Sequence, residues 1–275
     1  MPEPLRLLII GAHPDDADYA AGGTAALYRA AGHTVHMVSL TNGDAGHYVT
    51  AGPDLARRRT AEGAAAGAVI GAAYEVFDNH DGELLPTLEN RRQIIRLIRS
   101  FRPDLVLTHR PNDYHPDHRY TSQLVQDAAY MVTVPPVVPD VPHLEKNPVI
   151  AYLPDEFEKP YPFQPAIAVA VDGVLGRIVD MLHCHASQFY EWLPYNNGVS
   201  GEVPRTEPAR KEWLGEQVRV RLHKQADRFR QTLIRNYGPE EGRRIEYAEA
   251  FEACEYGAPL DAAARRRLFP FVPKP

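Results

Sequence analysis

The chain has 275 residues, 44% hydrophobic and 24% charged, a composition typical of soluble globular proteins and enough length for one α/β domain with an extension. A formal net charge of -6 argues against non-specific binding to nucleic acid or to an anionic membrane surface. The two cysteines form no C-x-x-C pair, and neither a signal-like leader nor an apolar run of roughly 20 residues is present, so a cytoplasmic protein without a disulfide framework is expected.

Taken in chain order, short β-branched runs alternate with helical patterns, the signature of βαβ units and a parallel sheet. Leu5–Gly11 reads as a buried strand, followed by a helix opening near Asp18 and ending at Ala31, with Gly32 at its C-terminal turn. His33–Leu40 is a second strand, and T-N-G-D-A-G-H after it is a loop. A helix from Asp54 to about Val69 leads to a short strand, Tyr74–Phe77. Thr87–Phe101 is amphipathic, with Ile94, Ile95, Leu97 and Ile98 on one face, and Pro103 stops it before the strand Asp104–Thr108. His118–Val132 is a further helix, and Pro165–Val171 a later strand feeding a helix from about Asp172 to Tyr190. Val134–Pro165 is Pro-rich and reads as a surface excursion or loop-strand cover; Asn196–Pro208 is irregular and precedes a charged helix over Ala209–Asn236. The expected fold is therefore a Rossmann-like α/β domain over 1–275. Its sheet is mostly parallel with helices on both faces, and about 196–275 form a C-terminal extension packed on the same core.

Four polar clusters fall where a strand ends: His13-Pro14-Asp15-Asp16, Asn42-Gly43-Asp44, Asp78–Asp81 and His109–His118. In an open α/β sheet the ligand crevice lies beyond the carboxyl ends of the strands, so one topology puts all four on one rim. His13, Asp16 and His118 supply two imidazoles and a carboxylate, a set that suits a catalytic Zn²⁺ with an open position. Asp15 is then available as general base. His115, three residues before His118, can stabilise an oxyanion, with Asp117 or Asp113 orienting it. Together these parts describe metal-assisted hydrolysis of an amide.

The A-H-P-D-D run after the first strand and the later H-P-D-H resemble the LmbE / PIG-L family of zinc-dependent N-deacetylases. The resemblance covers about Leu5–His118, with a weaker echo at H-A-S-Q, His185–Gln188. It implies one zinc per chain held by His13, Asp16 and His118, Asp15 as base and His115 at the oxyanion. It also implies Arg59, in R-T-A-E with Glu62, and Asp81, in the pair with Gly82, as substrate-binding residues. The implied substrate is an N-acetylated amino sugar or its conjugate, and a homo-oligomer is an expected state; no nucleic-acid or membrane partner is implied. Ala17, followed by Asp18, stands where the family usually has Glu, which bears on local hydrogen bonding and substrate choice.

Simpler readings stand beside these. An isolated Asp15-Asp16 pair is most often a helix N-terminus. His109 reads as structural, Asp44 as a turn residue, Arg57 and Arg58 as a solvated helix face, and His185 is balanced between site and core. Phe189, Tyr190, Trp192 and Tyr195 could line a sugar pocket, but are expected to pack the C-terminal part onto the core. Among rival functions, a nicotinamide enzyme lacks its G-x-G-x-x-G after the first strand. A non-haem iron oxygenase leaves Asp15 and His115 without a task, and a metal-keeping sugar-binding protein has no need of either. An amidase for a larger acyl group shares the same metal chemistry.

Overall fold

The computed structural model describes residues 3–273. Seven strands form one sheet in the order β3-β2-β1-β4-β5-β7-β6. They are β1 Arg6–Gly11, β2 Thr34–Thr41, β3 Ala73–Asn79, β4 Leu105–Thr108, β5 Val149–Tyr152, β6 Pro165–Ala170 and β7 Ala248–Ala253. β1 to β5 pair in parallel, and β7 lies antiparallel between β5 and β6. Parallel neighbours need crossovers, which α1 (Asp16–Ala30), α2 (Pro53–Ile70), α3 (Leu88–Phe101) and α4 (Pro116–Met131) provide. α5 (Leu175–Cys184), the short α6 (Leu193–Asn196) and α7 (Glu207–Arg228) follow.

Both faces of the sheet are covered, as the alternation along β1 requires. Leu7 and Ile9 point into the layer that contains Ala21 and Tyr28 of α1, Ile178 of α5 and Val218 of α7. Leu8 and Ile10 point the other way, against Ile94 and Ile98 of α3 and Leu124 and Val125 of α4. The carboxyl ends of β1 to β4 consequently open on one rim, where the four polar clusters meet.

Three segments differ from expectation. The Pro-rich stretch read as a surface excursion or loop-strand cover contributes β5 to the interior of the sheet; its four residues V-I-A-Y are all buried and carry no alternation to reveal them. The C-terminal tail does more than pack on the core, since β7 forms an interior strand of the sheet. Its A-E-A-F-E-A pattern looks solvated, yet Glu249 is fully buried. Its carboxylate accepts the backbone N–H groups of Gly23 (2.7 Å) and Thr24 (2.8 Å) and the Thr24 hydroxyl (2.7 Å). Those amides are free because α1 is kinked at Ala21, with φ -143°; Glu249 acts as an N-cap delivered from another element. The helix expected over Asp172–Tyr190 breaks at His185, and Ser187–Trp192 continue as a π-helix. No helix among the described residues is long and apolar enough to cross a membrane.

Candidate active site

The first turn of the site is built before any ligand geometry matters. β1 ends at Gly11, and the carbonyl of Ala12 accepts the backbone N–H of Thr41 (2.8 Å) and the hydroxyls of Ser39 (3.0 Å) and Thr41 (2.8 Å). The amides of Ala12 and His13 then donate to Oδ2 of Asp16, at 2.9 and 2.7 Å. Asp16 is thus anchored as the first residue of α1, and a side chain at Gly11 would collide with it, the ideal Cβ lying 2.6 Å from Asp16 Cβ. On the far side, His115 caps α4 by accepting the N–H of Asp117 on Nδ1 at 3.2 Å, and His118 follows one turn later.

These two helix starts bring His13, Asp16 and His118 together. Nδ1 of His13 lies 3.1 Å from Nε2 of His118, and the Asp16 carboxylate is 3.5 Å from each of those nitrogens. The outer nitrogens of both rings face carboxylates. His13 Nε2 is 3.2 Å from Asp81 and 3.4 Å from Asp117, and His118 Nδ1 is 3.1 Å from Asp113. A carboxylate on the far nitrogen holds the proton there and leaves the inner lone pair available, the arrangement usual around metal-bound histidine. One ring nitrogen from each of His13, His115 and His118 lies within 4.8 Å of the other two.

Charge is concentrated here. Burial pushes the His13 imidazole down, but its contacts with Asp117, Asp16 and Asp81 outweigh this and hold it well above the ordinary histidine range. Burial pushes the Asp16 carboxyl up, and the neighbouring His118 and His109 charges more than offset that, leaving it well below the usual carboxylate range. Asp15 is raised, chiefly by burial, although the Arg59 guanidinium opposes the shift. His115 is lowered by burial and then by the nearby His13 and His118 rings.

The structure places the remaining expected residues less simply. Arg59 is buried, and donates to Oδ1 of Asp15 at 3.0 Å and to the carbonyl of Gly43 at 3.3 Å. Gly43, at φ +70°, leaves no room for a side chain, since a Cβ would lie 2.5 Å from that guanidinium. Asp81 turns inward too, one oxygen towards His13 and the other 3.6 Å from Arg59. Both residues expected to touch substrate therefore stand behind Asp15 and His13. Asp117 meets the His115 ring through its backbone N–H, at 3.2 Å from Nδ1, and not through its carboxylate. Its carboxylate accepts the N–H groups of Gly82 (2.7 Å) and Leu84 (3.2 Å) and faces His13, because α4 begins with the Asp117 side chain turned towards the β3–α3 loop. The Asp113 carboxylate accepts the backbone N–H of His115 at 3.1 Å and faces the His118 ring.

Several residues that the sequence left as structural or undecided also support the site. His109, read as structural, puts Nε2 3.1 Å from Oδ2 of Asp16 and stacks on His118 with ring centroids 3.9 Å apart. Asp44 accepts the N–H of Asp81 at 3.0 Å and so fixes that turn. Each polar member of H-A-S-Q holds a different element. His185 contacts Asp18 at 2.8 Å, Ser187 donates to Glu62 from both N–H (3.0 Å) and hydroxyl (2.5 Å), and Gln188 donates to the carbonyl of Gly46 at 3.0 Å. The signal for His109 was its position at the end of β4; Asp18 was marked only as a helix start and as the residue after Ala17, with no sign of its His185 partner.

Similarity to known proteins agrees with this geometry. A diacetylchitobiose deacetylase from Thermococcus kodakarensis is 30% identical over 205 residues, covering 69% of this chain and 74% of that protein. A 4-oxalmesaconate hydratase from Pseudomonas putida is 27% identical over 198 residues, covering 68% and 76%. The solved N,N'-diacetylchitobiose deacetylase of Pyrococcus horikoshii shares the fold, with a TM-score of 0.69 at 20% identity over 91% of this chain and 84% of that one. Residues 8–129, which carry both histidine motifs and the strands that present them, match the family model described as PIG-L: GlcNAc-PI de-N-acetylase. With that match, and with three quarters of the Thermococcus enzyme spanned, the chain belongs to the PIG-L family of enzymes.

Proposed function

We propose that this chain is a zinc-dependent hydrolase that removes the acetyl group from an N-acetylglucosamine-type amino sugar or its conjugate. The observation that carries the reading is the meeting of His13 Nδ1 and His118 Nε2, 3.1 Å apart, over the Asp16 carboxylate, whose Oδ2 lies 3.5 Å from the first and whose Oδ1 lies 3.5 Å from the second. Three donors about 2.0–2.2 Å from one tetrahedral ion stand roughly 3.3–3.5 Å apart, so the residues present fit zinc. Bound there, zinc supplies Lewis acidity, making water more acidic and polarising the amide carbonyl.

The chain's own groups do the rest. Asp15, its carboxylate steadied by Arg59 at 3.0 Å, takes the proton from the attacking water and returns it to the leaving nitrogen. His115 accepts the Asp117 amide on Nδ1, so its neutral ring carries the proton on Nε2, from which it donates to the developing oxyanion. Asp81, Asp113 and Asp117 orient the metal-binding rings, and His109 orients Asp16. In this reading residues 1–275 work as one cytoplasmic unit, the C-terminal part supplying an interior strand.

The hydratase relative raises a second use for an activated water, addition to an unsaturated polycarboxylate. The site favours the amide. Asp15, Asp16, Asp81, Asp113 and Asp117 crowd around the histidines, and the buried Arg59 is paired with Asp15, an unfavourable setting for a polyanion. The test is acetate release from N-acetylglucosamine conjugates by enzyme purified without added metal, alongside metal analysis. Asp15→Ala is expected to lower turnover about a thousandfold while keeping its zinc. Unchanged acetate release by that variant, tightly held iron with oxygen-dependent turnover, or consumption of 4-oxalmesaconate without any deacetylation would refute the assignment.

A further inference from the structure

His13 brings two ring nitrogens into the site, and only Nδ1 faces His118 and Asp16. The other, Nε2, is buried and has no hydrogen-bond partner among the described residues. Oδ1 of Asp81 lies 3.2 Å from it and Oδ2 of Asp117 3.4 Å, yet neither oxygen stands where a ring N–H would meet it as a hydrogen bond. With His13 only 9% exposed, a ring nitrogen left in this state is costly and calls for a partner. The groups around it converge. One donor atom from each of His13, Asp81, His115 and Asp117 lies within 4.8 Å of the other three.

Three parts of the rim deliver these donors, and each is fixed from behind. Asp44 accepts the N–H of Asp81 at 3.0 Å, and Arg59 lies 3.6 Å from Oδ2 of Asp81, which leaves Oδ1 towards His13. The N–H groups of Gly82 and Leu84 hold the Asp117 carboxylate, and Asp113 accepts the N–H of His115. Two imidazoles and two carboxylates are a donor set for Zn²⁺ and similar divalent ions, and the two negative charges offset the charge of the ion. Donors about 2.0–2.2 Å from one ion stand roughly 3.3–3.5 Å apart. The 3.2 and 3.4 Å separations at Nε2 are close to that spacing.

From these observations we propose that Nε2 of His13, Asp81, His115 and Asp117 form a second divalent-cation site, which shares the His13 ring with the first and fills only at higher metal concentration. The site stands on this geometry, and its effect on turnover rests on the deacetylase reading above. With one ion bound, Asp81 and Asp117 keep a proton on Nε2. The second ion forms its bond to Nε2 as that proton passes to solvent, and the imidazolate then bridges the two ions. Displacing the proton makes the second site the weaker one. Because the second ion draws on His115, it takes that ring from the oxyanion, and acetate release falls as the ion binds.

The experiment is equilibrium dialysis of the full chain against rising zinc, with bound metal read by atomic absorption and acetate release followed in the same samples. Two ions per chain are expected, taken up in a tight step and a weaker one. His115→Ala should keep the tight step, which also shows that the variant is folded. It should weaken the second step by about tenfold or more, since losing a ligand costs at least what losing an outer partner does. Asp81→Asn with Asp117→Asn should weaken the second step likewise, and either variant decides if the other fails to fold. Saturation at one ion overturns the site, and so does a second step that a folded variant leaves unmoved. Acetate release that stays constant while the second step fills overturns it as well, because His115 is then not engaged. Two ions with no acetate released at any zinc concentration refutes the deacetylase reading and leaves the site standing. One ion with acetate released does the reverse.

Discussion

Asp15 and Asp16 are neighbours in sequence with opposite electrostatic fates. Asp16 faces three imidazoles and is held ionised, while Asp15 is buried beside it and raised, with Arg59 as its main restraint. A general base must be ionised to act, so its ionisation sets the acid limb of the kcat/KM profile. Arg59 lowers the Asp15 pKa, and Arg59→Met removes that pull. The acid limb is therefore expected to move to higher pH. A pH profile of the variant with its limb unmoved would show that Arg59 does not act through Asp15. Of this residue-scale picture the motif residues were legible, because chemistry restricts which side chains can hold zinc or move a proton. The inward turn of Arg59 and Asp81 was not, because burial depends on Gly43, Gly46 and other residues that approach only in three dimensions.

At the scale of elements, the kink in α1 has a defined partner. The amides released at Gly23 and Thr24 are satisfied by Glu249, more than two hundred residues later. Glu249→Gln keeps the size but puts an amide group where only acceptors are wanted. It is expected to cost about 2 kcal/mol and to lower the melting temperature by roughly 4–8 °C. Calorimetry of the two proteins decides it, and an unchanged melting temperature would mean the kink is capped otherwise. Burial raises the Glu249 carboxyl above its ordinary value. A folded-state pKa above the unfolded one means that protonation favours the fold, so this group's contribution improves as pH falls through the folded value and is complete below about 4.5. The Gln variant lacks that dependence. The helix Thr87–Phe101 and its apolar face were readable from a 3.6-residue period and the Thr87 cap, which accepts the N–H of Asn90 at 3.2 Å. The broken helix around His185 was not, since its break follows from the His185–Asp18 contact and not from a Gly or Pro.

For the whole molecule the C-terminal part is decisive. β7 joins β5 to β6, and Phe251 and Phe269 are fully buried in the core. A chain ended after Ile245 would leave the edges of β5 and β6 unpaired and expose that face. It is expected to be insoluble or to lose cooperative unfolding, which expression of the truncated chain followed by thermal melting tests. A folded, zinc-binding fragment would instead make the tail an accessory.

The division between sequence and structure follows from range. Strand–turn–helix order, the two histidine motifs and the parallel sheet are set by local periodicity and by which side chains stand next to each other along the chain, and these were present in the sequence alone. The interior place of β7, the cap from Glu249 and the carboxylates behind each histidine depend on residues tens to hundreds of positions apart. Only tertiary packing brings those together, because hydrogen bonding and desolvation act over a few ångströms in space and leave no periodic trace along the chain.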